Sequence, residues 1–299
     1  MSRFPDGARV CFIGDSITHN NIHLAHIVAY YREHFPEAKV EFYNCGIAGG
    51  AVSTTLNAFD TDILPHDPTH AVIMIGINDS ERDYLNGKVE TKYKHLQDAF
   101  DRYKENLTKL CGRLDSMGVD ITLCTQMPYA EYSESEMTPL RGGYALMLGY
   151  ADYVRSFAEK RGYPVCDYHS YATRIMQTEN IFCEDHIHPS DRGQYYMAKC
   201  FLAFQGYDLG EEKELPEDVK KWHDATYMVR DNTAVIHFLL NDEFTMPSEE
   251  KDAKIQAYLD NEQTGPYVEY FKSVAKNYID TKAKHEEFKR ISEDFMKNQ

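Results

Sequence analysis

Two short segments of this chain combine residue types that can carry out nucleophilic chemistry. Residues 14–16 read Gly-Asp-Ser and supply the hydroxyl of Ser16, whereas residues 185–189 read Asp-His-Ile-His-Pro and supply a carboxylate and an imidazole. A serine is a weak nucleophile until a base removes its proton, and a third group must hold that base in the correct tautomer. Asp185 and His188 fit on one turn, so the carboxylate can reach the far ring nitrogen of its own histidine.

Two further segments supply hydrogen-bond donors. An Ala-Gly-Gly segment contains Gly49, whose N–H can point at an anion, and a Gly-Ile-Asn-Asp segment supplies the side-chain amide of Asn78. An acyl-transfer intermediate needs such donors for its oxyanion. The candidates are the N–H of Ser16, the N–H of Gly49 and the amide of Asn78, with Gly46 and Gly50 as alternatives to Gly49.

The elements that must position these segments are the strands of a parallel sheet. Short apolar runs that end in Gly or turn residues are typical of buried parallel strands. They alternate here with helical patterns at βα spacing, and a helical pattern begins just after Ser16. The predicted strands cover residues 9–13, 40–43, 71–75, 119–125 and 164–167, and the predicted helices cover 22–35, 92–117, 144–160 and 190–205. The sequence therefore predicts a three-layer α/β/α sandwich, with all four segments at one edge of a sheet of about five strands.

The strand pattern stops near residue 206, where the charge density rises. Residues 1–205 are predicted to form the α/β domain and residues 206–299 a helical extension, with helices at 215–227, 234–240, 248–259 and 266–296. The last of these helices has apolar residues at a spacing of about three or four, namely Tyr267, Phe271, Val274, Tyr278, Phe288 and Phe295. Such a helix can lie on the main domain or form an arm that pairs two chains into a homodimer.

Composition limits the class of protein and its partners. A net charge of −16 argues against a nucleic-acid binder and against attachment to anionic lipid. No apolar run approaches the length of a membrane span, and the polar N-terminus predicts no secretion signal. The seven cysteines include no Cys-x-x-Cys pair, and those at positions 11, 45, 124 and 166 lie in or beside strand-like runs. Buried reduced thiols in a cytoplasmic protein are the expectation.

Four motifs in order resemble the SGNH (GDSL-type) hydrolase family over roughly residues 9–204. They are Gly-Asp-Ser-Ile-Thr, the loop of Gly49, Gly-x-Asn-Asp and Asp-x-x-His-Pro. The resemblance implies a flavodoxin-like fold, in agreement with the predicted elements. It also implies that Ser16 is the nucleophile, His188 the general base and Asp185 its orienting partner. Ser16 N–H, Gly49 N–H and Asn78 would form the oxyanion hole, without a cofactor or metal, and the resemblance implies nothing about the extension.

Each of these residues also has a structural interpretation. Ser16 could cap the helix that follows it, and Asn78 could cap its loop. Asp15 is expected to bond loop N–H groups, because Asp185 already fills the orienting role. His186 is the rival of His188 as the base, but a residue adjacent to Asp185 points elsewhere.

Two other groups of side chains follow predicted strands. His19, His23 and His26 fall on one helix face, where they could form a metal set, although a solvated or pocket-edge face is the favoured interpretation because no acidic residue completes a zinc site. The long connection after the fourth strand carries polar and aromatic side chains that either line an acyl or alcohol pocket or form a surface loop, namely Tyr129, Tyr132, Arg141 and Tyr144.

The sequence therefore favours a serine esterase that acts on small or carbohydrate O-acyl esters, acetyl esters in particular, through an acyl-enzyme. A lysophospholipase, a thioesterase or an acyltransferase could use the same triad. A flavodoxin-like binding module without catalysis is the alternative from another class, and a metal-dependent hydrolase built on the three helix histidines is a third.

Overall fold

The computed structural model describes residues 2–239, 248–263 and 266–297, and its centre is a five-stranded parallel sheet. The strands are β1 (Arg9–Gly14), β2 (Glu41–Gly46), β3 (His70–Met74), β4 (Asp120–Cys124) and β5 (Val165–Cys166). Their spatial order is β2-β1-β3-β4-β5. The predicted three-layer α/β/α fold with about five parallel strands is confirmed.

Helices cover both faces of this sheet and one of its edges. They are α1 (Ser16–Asn20), α2 (Ile22–His34), α3 (Val52–Asn57), α4 (Val89–Ser116), α5 (Gly143–Arg161), α6 (Tyr168–Ile175), α7 (Asp191–Phe204), α8 (Glu217–Leu239), α9 (Ser248–Leu259), α10 (Pro266–Thr281) and α11 (His285–Lys297). Short 3-10 helices at Leu64–His66, Arg82–Asn86 and Lys282–Lys284 and a π-helix at Phe59–Ile63 connect them. No helix in the described part of the chain is both long and apolar enough to cross a membrane.

The two sides of β1 pack into different hydrophobic clusters, because successive side chains of a strand point to opposite faces. Val10 and Phe12 belong to the cluster built with α2 and α7, whereas Cys11 and Ile13 belong to the cluster built with α4 and α5. Burial on both faces explains why the strand is an unbroken apolar run. The predicted burial of the four strand cysteines is also confirmed.

The helices after residue 206 cover β2, which is an edge strand of the sheet. Trp222 of α8 is 1% exposed and stacks on Phe295 of α11 at 5.5 Å between ring centroids. The backbone N–H of Phe42 donates to the Sδ of Met296 at 3.3 Å. A covered edge cannot pair with another strand. The last helix thus packs on the main domain, and pairing of two chains through the extension stays a prediction.

Several element boundaries differ from the prediction for identifiable reasons. The helical pattern after Ser16 breaks into α1 and α2 at Asn21, whose φ of 70° is left-handed. The predicted helix 266–296 is two helices, because a 3-10 turn follows Thr281. The predicted helices 215–227 and 234–240 are one helix, α8, and Leu240 lies outside the described residues. Two short helices, α3 and α6, were not predicted, since six to eight residues carry little periodicity.

Candidate active site

Ser16 lies where β1 gives way to a helix. β1 ends at Gly14, Asp15 caps α1 by accepting a hydrogen bond from the N–H of Ile17 at 3.0 Å, and Ser16 is the first residue of the helix. Asp15 therefore fills the capping role that was an alternative for Ser16. A Cβ at Gly14 would lie 2.5 Å from the carbonyl oxygen of Met74 on β3, so a larger residue cannot occupy this turn. The N–H groups of the first helical turn have no partner within the helix, which leaves the Ser16 N–H free of intrahelical bonding.

The Asp185 carboxylate shapes the turn that carries His188. One oxygen of Asp185 accepts hydrogen bonds from the backbone N–H groups of Ile187 and His188, each at 3.0 Å. The other oxygen bonds the Nδ1 of His188. Burial opposes ionisation of Asp185, but the His188 hydrogen bond and charge and the two backbone N–H groups outweigh it and hold the pKa at about 2. Asp185 is therefore ionised near neutral pH.

The structure brings Ser16, His188 and Asp185 into one hydrogen-bonded line. The Ser16 Oγ lies 2.7 Å from the Nε2 of His188. An ionised carboxylate only accepts hydrogen bonds, so the Nδ1 that faces Asp185 must carry a proton. In neutral His188 the Nε2 is then an acceptor, and the Ser16 hydroxyl donates to it. The His188 and Asp185 side chains are 41% and 31% exposed, so the line lies at the surface of the protein.

The loops of Gly49 and Asn78 are joined to each other beside Ser16. Gly49 has a φ of 74°, and the N–H of Gly50 donates to the Ile47 carbonyl at 2.8 Å in a tight turn. The Asn78 amide donates to the Gly50 carbonyl at 3.0 Å. An amide nitrogen carries two hydrogens, so this bond uses only one of the two. Asn78 thus has the capping contact that was one interpretation of its role, together with a second N–H.

Burial favours the protonated form of two carboxyl groups near Ser16, those of Asp15 and Asp79. Burial raises the pKa of Asp15 to about 6. Burial also raises the pKa of Asp79 to about 7, and the Asp15 carboxyl adds to the rise, against the opposing hydrogen bond from the Val52 N–H at the start of α3. Ionising either group in the folded protein costs free energy that the unfolded chain does not incur.

Replacing Asp79 with asparagine is expected to stabilise the protein at alkaline pH. A carboxyl whose folded pKa is raised stabilises the fold below its unfolded pKa and loses that contribution as pH rises through the folded value. The melting temperature of Asp79→Asn should therefore rise relative to that of the wild type between pH 5 and pH 7, and the difference should stay constant above pH 7. In unfolding free energy the difference above pH 7 is on the order of 1–3 kcal/mol. Thermal melts of both proteins across pH 5–8.5 measure this. The exposed Asp98→Asn is the control, and an unchanged difference across that range contradicts the expectation.

His186 holds the connection between β4 and α5 rather than facing Ser16. It is 1% exposed with a left-handed φ of 63°. Its Nε2 lies 2.8 Å from the Met137 carbonyl, and its Nδ1 lies 2.9 Å from the Ser133 Oγ. The N–H of Ala130 donates to the His186 carbonyl at 2.9 Å. His186 therefore fastens the β4–α5 connection to the turn that carries His188.

The histidines on the first helical face are buried, which corrects the expectation of a solvated face. His19 bonds Asp231 of α8, and the Nδ1 of His23 lies 2.7 Å from the Oε1 of Gln194. Burial lowers the pKa of His23 to about 4. His26 lines a cavity, as a pocket-edge position predicts. Among residues 2–239, 248–263 and 266–297, no three His, Cys, Asp or Glu side chains are placed to hold a metal ion.

The polar and aromatic residues of the β4–α5 connection fall into two groups. Tyr129 is 2% exposed, and its hydroxyl accepts a hydrogen bond from the Leu140 N–H at 2.9 Å, so it closes the loop on itself. Tyr144 is half-buried, and its hydroxyl lies 3.3 Å from the Thr173 Oγ1. Tyr132 is 82% exposed, and Arg141 is also exposed. Tyr132 and Arg141 are therefore the exposed members of this group.

A cavity of about 490 Å³ lies beside α2. It is formed by α2, α7 and the segment before α8, and its lining includes His26, Arg32, Glu33, Lys213 and Glu214. None of Ser16, Asp185 and His188 lines it. The open surface position of the His188 line, and not this cavity, therefore defines the candidate site.

Comparison with known proteins identifies the family of the chain. Residues 10–201 match the family described as GDSL-like lipase/acylhydrolase. The chain belongs to this family. Membership of the GDSL-like family confirms the resemblance of the four motifs, and it assigns the chain to the carboxylic ester hydrolases. The matched region contains every residue of the candidate site and ends before the helical extension.

Individual relatives extend the comparison beyond the family. An acetylxylan esterase of Geobacillus stearothermophilus is 26% identical over 219 residues, which cover 68% of this chain and 95% of that protein. The crystal structure of Axe2, an acetylxylan esterase from the same organism, matches with a TM-score of 0.58 at 25% identity over 70% of this chain and 99% of that one. BT4096, a gut microbial diltiazem-metabolizing enzyme, matches with a TM-score of 0.79 at 14% identity over 100% of this chain and 96% of that one. The last match is a likeness of fold and includes the extension.

Proposed function

We propose that this GDSL-family chain is a serine esterase that removes short acyl groups, acetyl groups above all, from carbohydrate or other small esters. The observation that carries the proposal is the Ser16 Oγ at 2.7 Å from the His188 Nε2, with ionised Asp185 on the other ring nitrogen. A hydroxyl, a base and an orienting carboxylate in this order are the parts that acyl transfer through a serine requires. The acetylxylan esterases among the relatives support the acetyl group and the carbohydrate.

The proposed reaction has two halves. His188 takes the proton of Ser16 as the Oγ attacks the ester carbonyl, and Asp185 stabilises the imidazolium that forms. His188 then gives the proton to the departing alcohol, which leaves an acyl group on Ser16. In the second half, His188 takes a proton from water, the hydroxide attacks the acyl carbonyl, and the acid leaves as His188 returns the proton to Ser16.

The proposed oxyanion hole consists of the N–H groups of Ser16 and Gly49 and the second N–H of Asn78. Negative charge develops on the carbonyl oxygen only in the tetrahedral state, so these donors lower the barrier without strengthening substrate binding. The bond from Asn78 to the Gly50 carbonyl ties two of the three donors together. The exposed position of His188 gives a carbohydrate chain direct access to the site.

Replacing Asn78 with alanine is expected to lower kcat by about 10²–10³, with KM nearly unchanged, because the lost amide bonds the transition state and not the ground state. Steady-state kinetics on an aryl acetate measure both constants. Asn86→Ala, on the short helix that follows this loop, is the control. A loss of less than tenfold in Asn78→Ala would show that the amide only shapes its loop.

A panel of substrates and one covalent probe test the proposal as a whole. We expect acetylated xylooligosaccharides and aryl acetates to be turned over faster than aryl esters of longer acids, acyl-CoA thioesters or lysophospholipids. A fluorophosphonate should label Ser16 stoichiometrically. Faster turnover of a long-chain ester or thioester would replace the acetyl ester as substrate, and transfer of the acetyl group to an added alcohol in preference to water would mark an acyltransferase. Ligand binding without label or turnover would indicate the non-catalytic module.

A further inference from the structure

Helix α8 of the extension contacts α2 near its start and α1 further along its length. Near its start, Asp218 pairs with Arg32 at 2.5 Å, close to the end of α2. One turn further, the Nε2–H of His223 donates to the Asn20 carbonyl at 2.9 Å, at the end of α1. The helix therefore reaches the element that begins with Ser16.

Arg230 of α8 contacts the end of β2 in a dry environment. Its Nε–H donates to the Gly46 carbonyl at 2.8 Å, and its Nη2 pairs with the Asp62 carboxylate at 2.6 Å. The side chains of Arg230 and Asp62 are 7% and 5% exposed. Burial opposes ionisation of Asp62, but the Arg230 charge and the nearby His237 hold its pKa well below the usual range. The Gly46 carbonyl is thus held by a fixed, charged donor.

The next residue, Asp231, contacts α1. One of its oxygens accepts a hydrogen bond from the Nε2–H of His19 at 2.9 Å, and the other accepts one from the Asn277 amide of α10 at 2.8 Å. His19 is three residues after Ser16 on the same short helix. Burial lowers the pKa of His19, and the Asp231 hydrogen bond and charge oppose that shift.

Gly46 and His19 meet at the junction between the two parts of the proposed oxyanion hole. A Cβ at Gly46 would lie 2.2 Å from the His19 backbone nitrogen, so β2 and α1 are in direct contact there. The Asn44 side chain accepts from the Gly46 N–H at 2.9 Å and donates to the His19 carbonyl at 3.1 Å. The loop of Gly49 leaves from one side of this junction, and the Ser16 N–H lies on the other.

We infer that Arg230 and Asp231 are positioning residues of the esterase, which fix the loop of Gly49 relative to the helix of Ser16 from within the extension. The inference rests on the roles proposed for Ser16 and Gly49. Oxyanion donors act only when they are aimed at the site of the developing charge, so a small shift between loop and helix costs rate. Both residues lie outside the region matched to the family, which ends at residue 201. The extension thereby belongs to the catalytic apparatus of this chain.

Kinetics of three variants test the inference. We expect Arg230→Met and Asp231→Asn to lower kcat on an aryl acetate by about 10-fold to 100-fold while KM stays within about threefold, because only transition-state contacts are misaligned. Arg230→Lys keeps a charged donor and should recover part of the loss. Fluorophosphonate labelling of Ser16 should slow in parallel with kcat in each variant.

Two control variants weaken the extension without touching the junction. Thr226→Val removes the contact between the Thr226 Oγ1 and the Ser292 Oγ at 3.0 Å, between α8 and α11. Val235→Ala opens the small cluster that α8 forms with α9 and α10. Both control variants should lower the melting temperature and leave kcat within about twofold of the wild type at 25 °C. If Arg230 and Asp231 only stabilised the fold, their variants would behave like these controls and keep kcat.

A paired variant keeps the test decisive if Arg230→Met does not fold. Asp62→Asn with Arg230→Met removes both charges, so no unpaired charge stays buried. The inference is overturned if folded Arg230→Met, folded Asp231→Asn or the folded paired variant keeps kcat within twofold of the wild type, or if the controls lose as much. Absence of Ser16-dependent turnover in the wild type would instead overturn the proposed function and this inference together, so the two failures are distinguishable.

Discussion

Ser16→Ala is expected to lower kcat for an activated acetyl ester by about 10³-fold or more and to abolish acyl-enzyme formation. Alanine removes the hydroxyl oxygen that lies 2.7 Å from the His188 Nε2, and His188 alone has no nucleophile to activate. Substrate binding and the proposed oxyanion donors remain, so the residual rate should still exceed that of the uncatalysed reaction in water. Burst kinetics and mass spectrometry of the intact protein after quenching measure the acyl-enzyme.

The matched control for this substitution is Ser53→Ala. Ser53 is an exposed serine on α3, directly after the loop of Gly49, and it makes no part of the His188 line. We expect wild-type kcat, a normal burst and full fluorophosphonate labelling in this variant. Wild-type turnover in purified, folded Ser16→Ala would refute the serine mechanism, and labelling of a residue other than Ser16 would move the nucleophile.

Asp185→Asn is expected to lower kcat by about 10³–10⁴ with little change in KM. The carboxylate accepts the Nδ1–H of His188, whereas an asparagine amide can donate to Nδ1 and so favour a proton on Nε2. His188 in that tautomer cannot accept the Ser16 proton. Because the wild-type pKa is held at about 2, Asp185 is ionised throughout pH 5–9 and can accept the Nδ1–H of His188 over that whole range.

Glu184→Gln provides the control for the aspartate, since it changes an exposed carboxylate in the same turn. Its kcat should stay within about twofold of the wild type, because an exposed charge in water interacts only weakly with neighbouring groups. Rates for both variants are to be compared with circular dichroism spectra and melting temperatures. A deficit below tenfold in folded Asp185→Asn would mean that His188 finds its tautomer without this carboxylate.

The sequence by itself predicted the sheet and the placement of Ser16, Asp185 and His188 at one of its edges. Apolar runs that end in Gly or turn residues specify buried parallel strands, and βα alternation places their carboxyl ends at one edge. The Asp185–His188 contact spans three residues, so the local turn alone largely fixes it. Family motifs then linked Ser16 to His188, although 172 residues separate them.

Local rules misjudged elements whose partners are distant in sequence. Residues 44–46 have low strand propensity, yet they extend β2 because β1 pairs with them as far as Gly14. Tyr129 was expected either to line a pocket or to lie in a surface loop, but it is buried against its own loop. His186 was a rival base, and only its contacts with Ser133 and Met137 reveal its role in holding a loop.

Only the tertiary structure shows which residues of the main domain the extension contacts. In sequence, Arg230 and Asp231 are two charges in the segment between the predicted helices 215–227 and 234–240, and nothing in the pattern marks them as buried. Their partners Gly46 and His19 lie 184 and 212 residues away, and no periodicity or motif encodes such a pair. A buried charge is tolerated or destabilises the fold according to which groups pack against it, because in a dry interior each charge needs a partner at hydrogen-bond distance. That pairing is a property of the packed chain.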